Sequence, residues 1–294
     1  MSPTLEQLKR FGTAAFQLAH FIAEHPLTRN HKTAAFARIV KWQIQSRTCS
    51  EVIVPWVDSA KLAVRRGMTG ATANIYAGLH EFADMAFTLH FLRSGDRFAD
   101  IGANVGSYTV LASGVCGAST IAIEPDPQTA AFLRRNIDLN GLNSLVQIEQ
   151  VALGGEQGYA ELTVGLDSMN HIARVNDGPS QRVRMRTLDS VVAGRPPVMI
   201  KIDVEGYEAE VFRGAEATLN AQSLRAIITE GQQPEVIAAL RAAGFLQYRY
   251  DPFQRKLSRT QELCIPNALY LRDEAFVAAK LAASPAFQVI GTSI

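Results

Sequence analysis

The residues best suited to chemistry are carboxylates at the ends of short apolar runs. In Ile200-Lys201-Ile202-Asp203-Val204-Glu205-Gly206-Tyr207-Glu208, a run beginning at Val198 delivers Asp203 and Glu205 two positions apart. Two carboxylates at that spacing, with Gly206 permitting a sharp turn, can work as an acid/base pair or hold a substrate hydroxyl. They can equally cap a helix that starts at Tyr207, and the two roles are compatible. Lys201 is either an ion-pair partner that keeps Asp203 ionised or a surface residue.

A second constellation is Asp100-Ile101-Gly102-Ala103-Asn104-Val105-Gly106-Ser107-Tyr108. Gly102 and Gly106 let the backbone pass close to a ligand where a Cβ would collide. Asn104 or Ser107 can cap the following helix and leave free amides at its start. In dinucleotide-binding loops such amides hold a pyrophosphate. Here the spacing is Gly-x-Asn-x-Gly, and Asp100 would repel a pyrophosphate but attract the ammonium of a methionine moiety. The loop therefore favours S-adenosylmethionine (AdoMet) over NAD, or else is a plain strand-to-helix turn. Glu124, 22 residues after Gly102 in Ile123-Glu124-Pro125-Asp126-Pro127, can accept hydrogen bonds from both hydroxyls of a ribose. That use is common to both nucleosides, and a solvated loop acid is the alternative. Asp126 is available to cap a helix from Pro127.

Apolar runs at Arg97–Ile101, Ser119–Glu124, Val146–Ala152, Val198–Asp203 and Arg225–Glu230 must position these acids. They alternate with helical periods at Gly106–Val115, Pro127–Asn140, Tyr207–Leu219 and Pro234–Ala243. The alternation predicts a doubly wound parallel sheet, which binds ligands at the carboxyl ends of its strands. Tyr159–Thr187 reads as extended segments with a polar loop at Val175–Gln181, an insertion before the fourth strand. Leu246–Tyr250 and Ala268–Leu271 suit an antiparallel pair at the sheet edge. Upstream, Leu5–Gln45 reads as two or three helices broken at Pro26 and Asn30, and Val52–Val57 as a short strand. Ala73–Leu92 reads as one helix. The expected organisation is a helical extension or cap at 1–72, a domain at 73–273 with an insertion at about 155–187, and a tail at 274–294. The first helices would cover the cleft or form a homodimer interface.

With 47% hydrophobic and 19% charged residues in 294, the chain has a globular composition. Its 29 basic and 28 acidic residues, net +1, exert no general pull on nucleic acid or anionic lipid. Cys49, Cys116 and Cys264 lack metal or disulfide spacing and read as small buried hydrophobes. Glu6, Lys9 and Arg10 interrupt the first segment, so neither a signal peptide nor an anchor is expected, and no run approaches the roughly 20 apolar residues of a spanning helix. A cytoplasmic enzyme without a metal is the expectation.

Taken together, Asn74-Ile75-Tyr76, Gly78-Leu79-His80-Glu81-Phe82, DIGANVGSYT from Asp100, IEPDP from Ile123, KIDVEGYEAEV from Lys201 and Thr229-Glu230 resemble the FkbM-type methyltransferases. The resemblance runs from about Asn74 to Pro252. It implies a Rossmann-like class I methyltransferase α/β sheet, mostly parallel with an antiparallel edge strand, and AdoMet as cofactor. It also implies O-methylation of a hydroxyl on a sugar, glycan, lipid or natural product. Asp100, Gly102 and Asn104, in the loop that continues through Gly106, Ser107 and Tyr108, would meet the methionine end, and Glu124 the ribose. The acid that many class I enzymes place after the third strand is missing from Gln150-Val151-Ala152-Leu153, which leaves the backbone of Val151 and Ala152 for the adenine. In similar proteins the stretch Gly165–His171 lies over the active site. That makes His171 a candidate base beside Glu205 and the preferred Asp203, or else a surface histidine. Asn170, Glu230, His80 and Glu81 are candidate acceptor contacts. As helix neighbours, His80 and Glu81 would point to different faces, so at most one would meet the pocket. An NAD-dependent oxidoreductase and a non-catalytic module that keeps the fold are the competing functions. A nucleic-acid methyltransferase is disfavoured by the balanced charge and by the lack of an Asn-Pro-Pro-aromatic string.

Overall fold

The computed structural model describes residues 16–165, 170–173, 177–262 and 267–294. The start of the first expected helix, residues 166–169 of the polar stretch, residues 174–176 and Cys264 lie outside the described residues. Helix α1 is described over residues 16–24, and α2 spans Lys32–Thr48. A hairpin of β1 (Val52–Pro55) and β2 (Lys61–Val64) follows.

The helix expected over Ala73–Leu92 is two helices, α3 (Thr69–Ala77) and α4 (Phe82–Phe91). The break falls at Gly78, whose φ of 84° suits glycine. A Cβ there would lie 2.7 Å from Val289 Cγ1. His80 N then donates to Asn74 Oδ1 at 2.7 Å, holding the loop open.

The core is an eight-stranded sheet. It comprises β3 (Arg97–Ile101), β4 (Ser119–Ile123), β5 (Val146–Glu149), β9 (Met199–Ile202), β10 (Ala226–Thr229), β11 (Leu246–Asp251), β12 (Lys256–Arg259) and β13 (Ala268–Leu271), in the order β12-β11-β13-β10-β9-β3-β4-β5. The strands from β10 to β5 are parallel, and β13 is antiparallel to both β10 and β11. Both faces are covered, so the strands are nearly continuous apolar runs. Alternate residues divide between two cores: Phe98, Ala122, Met199 and Ile228 on one face, Ala99, Ile121, Ile200 and Ile227 on the other.

Three further features differ from expectation. The run Val146–Ala152 ends with β5 at Glu149, and Ala152–Leu153 forms β6 of a separate sheet with β7 (Gly158–Thr163) and β8 (Ser180–Arg186). Tyr207–Leu219 splits into α8 (Glu208–Arg213) and α9 (Glu216–Asn220) at Gly214, where a Cβ would overlap the carbonyl oxygen of Gly154. Strand β13 lies inside the sheet, and β12, whose sequence Lys-Leu-Ser-Arg carries little apolar signal, takes the edge.

The helix after β3 starts as α5 (Ser107–Thr109) and continues as a π-helical turn over Val110–Val115. Pro127–Leu139 (α6), Leu188–Val192 (α7) and Pro234–Ala242 (α10) complete the layers. Residues 274–294 form α11 (Glu274–Ala282) and a short hairpin that bury Val277, Leu281 and Val289. Cys49 is exposed and Cys116 half-buried, so Cys49 departs from the expected burial. Among the described residues no helix is long and apolar enough to cross a membrane.

Candidate active site

Parallel register brings the chemistry to one edge. Ile101 pairs with Ile123 and Ile202, and Ile202 with Thr229, so Gly102, Glu124, Asp203 and Glu230 all emerge at one level. A cavity of about 350 Å³ opens there, in the usual range for a small-molecule site. Every site residue expected from the sequence lines it except Gly106. Gly106 instead packs behind the wall, where a Cβ would meet Leu133 Cδ1 at 2.6 Å.

The loop after β3 consumes its own amides. Gly102 N and Ala103 N donate to Ile123 O, Asn104 N to Glu124 Oε2, Val105 N to Asn104 Oδ1 and Gly106 N to Ala103 O. Five consecutive N–H groups are thus satisfied within the protein. Neither Asn104 nor Ser107 caps the helix; Gly106 is the N-cap, left-handed and without a side-chain bond. Ser107 Oγ accepts from Asn74 Nδ2 at 3.2 Å instead. Asn104 itself is left-handed at φ 51°, a strained setting that for a side-chain-bearing residue tends to mark functional loops.

Asp100 is buried and accepts from Thr109 Oγ1 at 2.6 Å. Burial pushes its carboxyl up to about 6, with the Lys201 charge opposing. Glu124 is not a solvated loop acid. It is buried, accepts from the backbone of Asn104 and Asp126 at 2.9 Å each, and is pushed up to about 7 by burial. Each of its oxygens keeps a lone pair for a ligand hydroxyl. Asp126 caps α6 through Gln128 N and Thr129 N, as expected. Beside Glu124, Ile123, Val151, Ala152 and Leu153 supply an apolar wall.

Across the cavity, Lys201 Nζ lies 2.6 Å from Asp203 Oδ2 and 4.9 Å from the Tyr108 ring centre. Burial alone would lower the ammonium's pKa, but Asp203, Glu81 and Asp100 raise it above its usual value. Glu205 is left-handed at φ 52°, followed by Gly206 at 90°. Helix α8 begins after Tyr207 with no side-chain cap, so capping explains neither Asp203 nor Glu205. Burial, then the neighbouring Asp203 charge, raises the Glu205 carboxyl and pushes Glu230 up to about 7.

His80 and Glu81 both line the cavity, because they sit in the α3–α4 loop and not in a helix. Glu81 accepts from Tyr108 OH at 2.7 Å and from Asn267 Nδ2 at 2.8 Å. The same Asn267 amide donates to Asp84 Oδ2 at 3.1 Å, and burial plus the Glu81 charge push Asp84 up to about 7. Sequence reasoning missed Asn74, Asp84 and Asn267, and also Thr69–Ala71, which form part of the rim. Of these only Asn74 stood in a recognisable string. His171 lines the cavity with Asn170, and its Nε2 lies 3.1 Å from Asp177 Oδ2.

A family model described as the Methyltransferase FkbM domain matches residues 100–246. The chain belongs to the FkbM methyltransferase family. Over 147 residues it is 26% identical to the hexuronic acid methyltransferase AglP of Haloferax volcanii, covering 48% of this chain and 59% of that protein. Over 161 residues it is 26% identical to Methyltransferase 1 of Beauveria bassiana, covering 46% of this chain and 64% of that protein. The chain thus spans less than two thirds of either relative. Among solved structures it is similar to an FkbM methyltransferase from Methylobacillus flagellatus, at 16% identity and a TM-score of 0.42, covering 81% of this chain and 60% of that one. The FkbM match takes in Asp100, Glu124, Asp203 and Glu230 but stops short of the His80–Glu81 loop and Asn267.

Proposed function

We propose that this FkbM protein is an AdoMet-dependent O-methyltransferase acting on a hydroxyl of a sugar, glycan, lipid or natural product. The observation that carries the proposal is the loop Gly102–Gly106, whose amides are all satisfied internally and which is bordered by Asp100 and Glu124. A pyrophosphate would find no donors among those five amides and two carboxylates nearby. A cationic aminoacyl nucleoside finds carboxylates for its ammonium and ribose and an apolar wall at Val151–Leu153. The same observation weighs against NAD chemistry.

AdoMet would supply an electrophilic methyl group on its sulfonium. Asp100 and the loop through Asn104 would hold its methionine end, Glu124 the ribose hydroxyls, and the backbone of Val151 and Ala152 the adenine. Asp203 would take the proton from the acceptor hydroxyl at Oδ, a step worth roughly 10²–10⁴-fold in rate. Lys201 orients that carboxylate by a direct bond at 2.6 Å. Glu205, Glu230, Glu81, His80 and the Asn170–His171 segment line the same cavity and would position the acceptor's other hydroxyls. The sugar-acid activity named for the Haloferax relative supports a hydroxylated acceptor.

The test is Asp203→Asn, assayed by AdoMet binding and by AdoMet consumption against a panel of hydroxylated acceptors. Binding retained with turnover lost is the expected pair of results. Binding and turnover falling together would refute the base role.

A further inference from the structure

Helix α2 has two apolar faces, and only one of them is packed. Ala35, Ile39 and Trp42 are buried against the protein. Phe36, Val40 and Ile44 recur at four-residue spacing on another face and are 45%, 57% and 61% exposed. A contiguous exposed apolar row marks an interaction surface. Its charges say which kind. Between Glu24 and Glu51 the chain carries Arg29, Lys32, Arg38, Lys41 and Arg47 and no acidic residue, although the whole chain is balanced at +1. Arg38 turns inward, Nη2 donating to Tyr76 O at 2.8 Å. The other four cations are exposed. Lys32 starts the same row as Phe36, and Arg47 follows Ile44 by one turn.

We propose that this face of α2 docks on an anionic lipid surface. The apolar row would enter the headgroup boundary and the flanking cations would meet lipid phosphates and carboxylates. A second copy is a poorer occupant, since a two-fold contact through this face would set like charges against one another. Trp42, Gln43 and Ser46 of α2 also line a second cavity that shares Thr69 and His80 with the active-site cleft. If methyl transfer is the activity, the docked helix borders the route of a lipid-borne acceptor. The docking itself does not depend on that activity.

Sedimentation of the full chain with vesicles tests the proposal without any methyl-transfer readout. Pelleting is expected with phosphatidylcholine vesicles containing about a third phosphatidylserine, not with pure phosphatidylcholine, and is expected to weaken with salt. The pairs Lys32→Glu/Lys41→Glu and Phe36→Ser/Val40→Ser should each lower apparent affinity about tenfold or more, with the melting temperature unchanged. Lack of pelleting, equal pelleting with neutral vesicles, or indifference to both pairs would overturn it. A dimer that Phe36→Ser/Val40→Ser dissociates would assign the face to a second copy. Binding that appears only after deletion of residues 1–15 would assign it to the chain's own N-terminal segment. Either result refutes the lipid assignment.

Discussion

The backbone of Gly102 passes so close to Asp203 that a Cβ on the glycine would overlap the Asp203 carbonyl oxygen. The two residues follow neighbouring parallel strands, and Asp203 N donates back to Ile101 O at 3.0 Å. The loop proposed to hold the cofactor and the carboxylate proposed as base are therefore joined through the backbone. A disturbance at one must reach the other.

Gly102→Ala should destabilise the protein by at least about 1–3 kcal/mol, from the left-handed φ of 73° and the overlap together. AdoMet affinity should fall with it. Thermal melting and calorimetry check both; wild-type values for the variant would contradict the close approach.

Removal of the ammonium should be felt more as pH rises. Lys201 is buried among Asp203, Glu81 and Asp100, and Lys201→Met leaves these acids without their cation. A buried charge that loses its partner costs up to about 3–5 kcal/mol, less here because Asp203 is partly exposed. Asp100, already pushed up to about 6, would rise further, so its ionisation at pH 8 would cost the folded state more than at pH 5.5. Melting curves at the two values should show the larger loss at pH 8; a larger loss at pH 5.5 would count against it.

Asp84→Asn should behave in the opposite sense. Its carboxyl titrates at about 7 when folded, above the ordinary 3.8. Between those values the folded chain holds the proton more tightly, so this group's stabilising contribution is present at low pH and is lost as pH rises towards 7. Asn mimics the protonated form and does not ionise. Relative to wild type, the variant's melting temperature should climb from pH 5.5 to pH 8; a falling difference would contradict the proton-holding acid.

The legible part of the site is the part carried by local strings. Asp100–Gly106, Glu124 and Asp203–Gly206 each follow an apolar run, and the sheet's register sets them level. The Glu81–Asn267 bridge joins residues 186 apart, from the α3–α4 loop and the residue just before β13, and no local pattern announces such a pair. The α3–α4 break was hidden because buried Leu79 continues the apolar period across it; a tertiary contact at Gly78 decides the turn. Likewise β12 was missed because an edge strand with one side in water needs little apolar residue content.

We propose that the carboxyl edge around Asp100–Asn104 and Glu124 receives a sulfonium nucleoside. Isothermal calorimetry of the purified chain with AdoMet, S-adenosylhomocysteine and NAD in parallel tests it most directly. Saturable heat with the first two and none with NAD is expected, and saturation by NAD with silence towards the other two would contradict it.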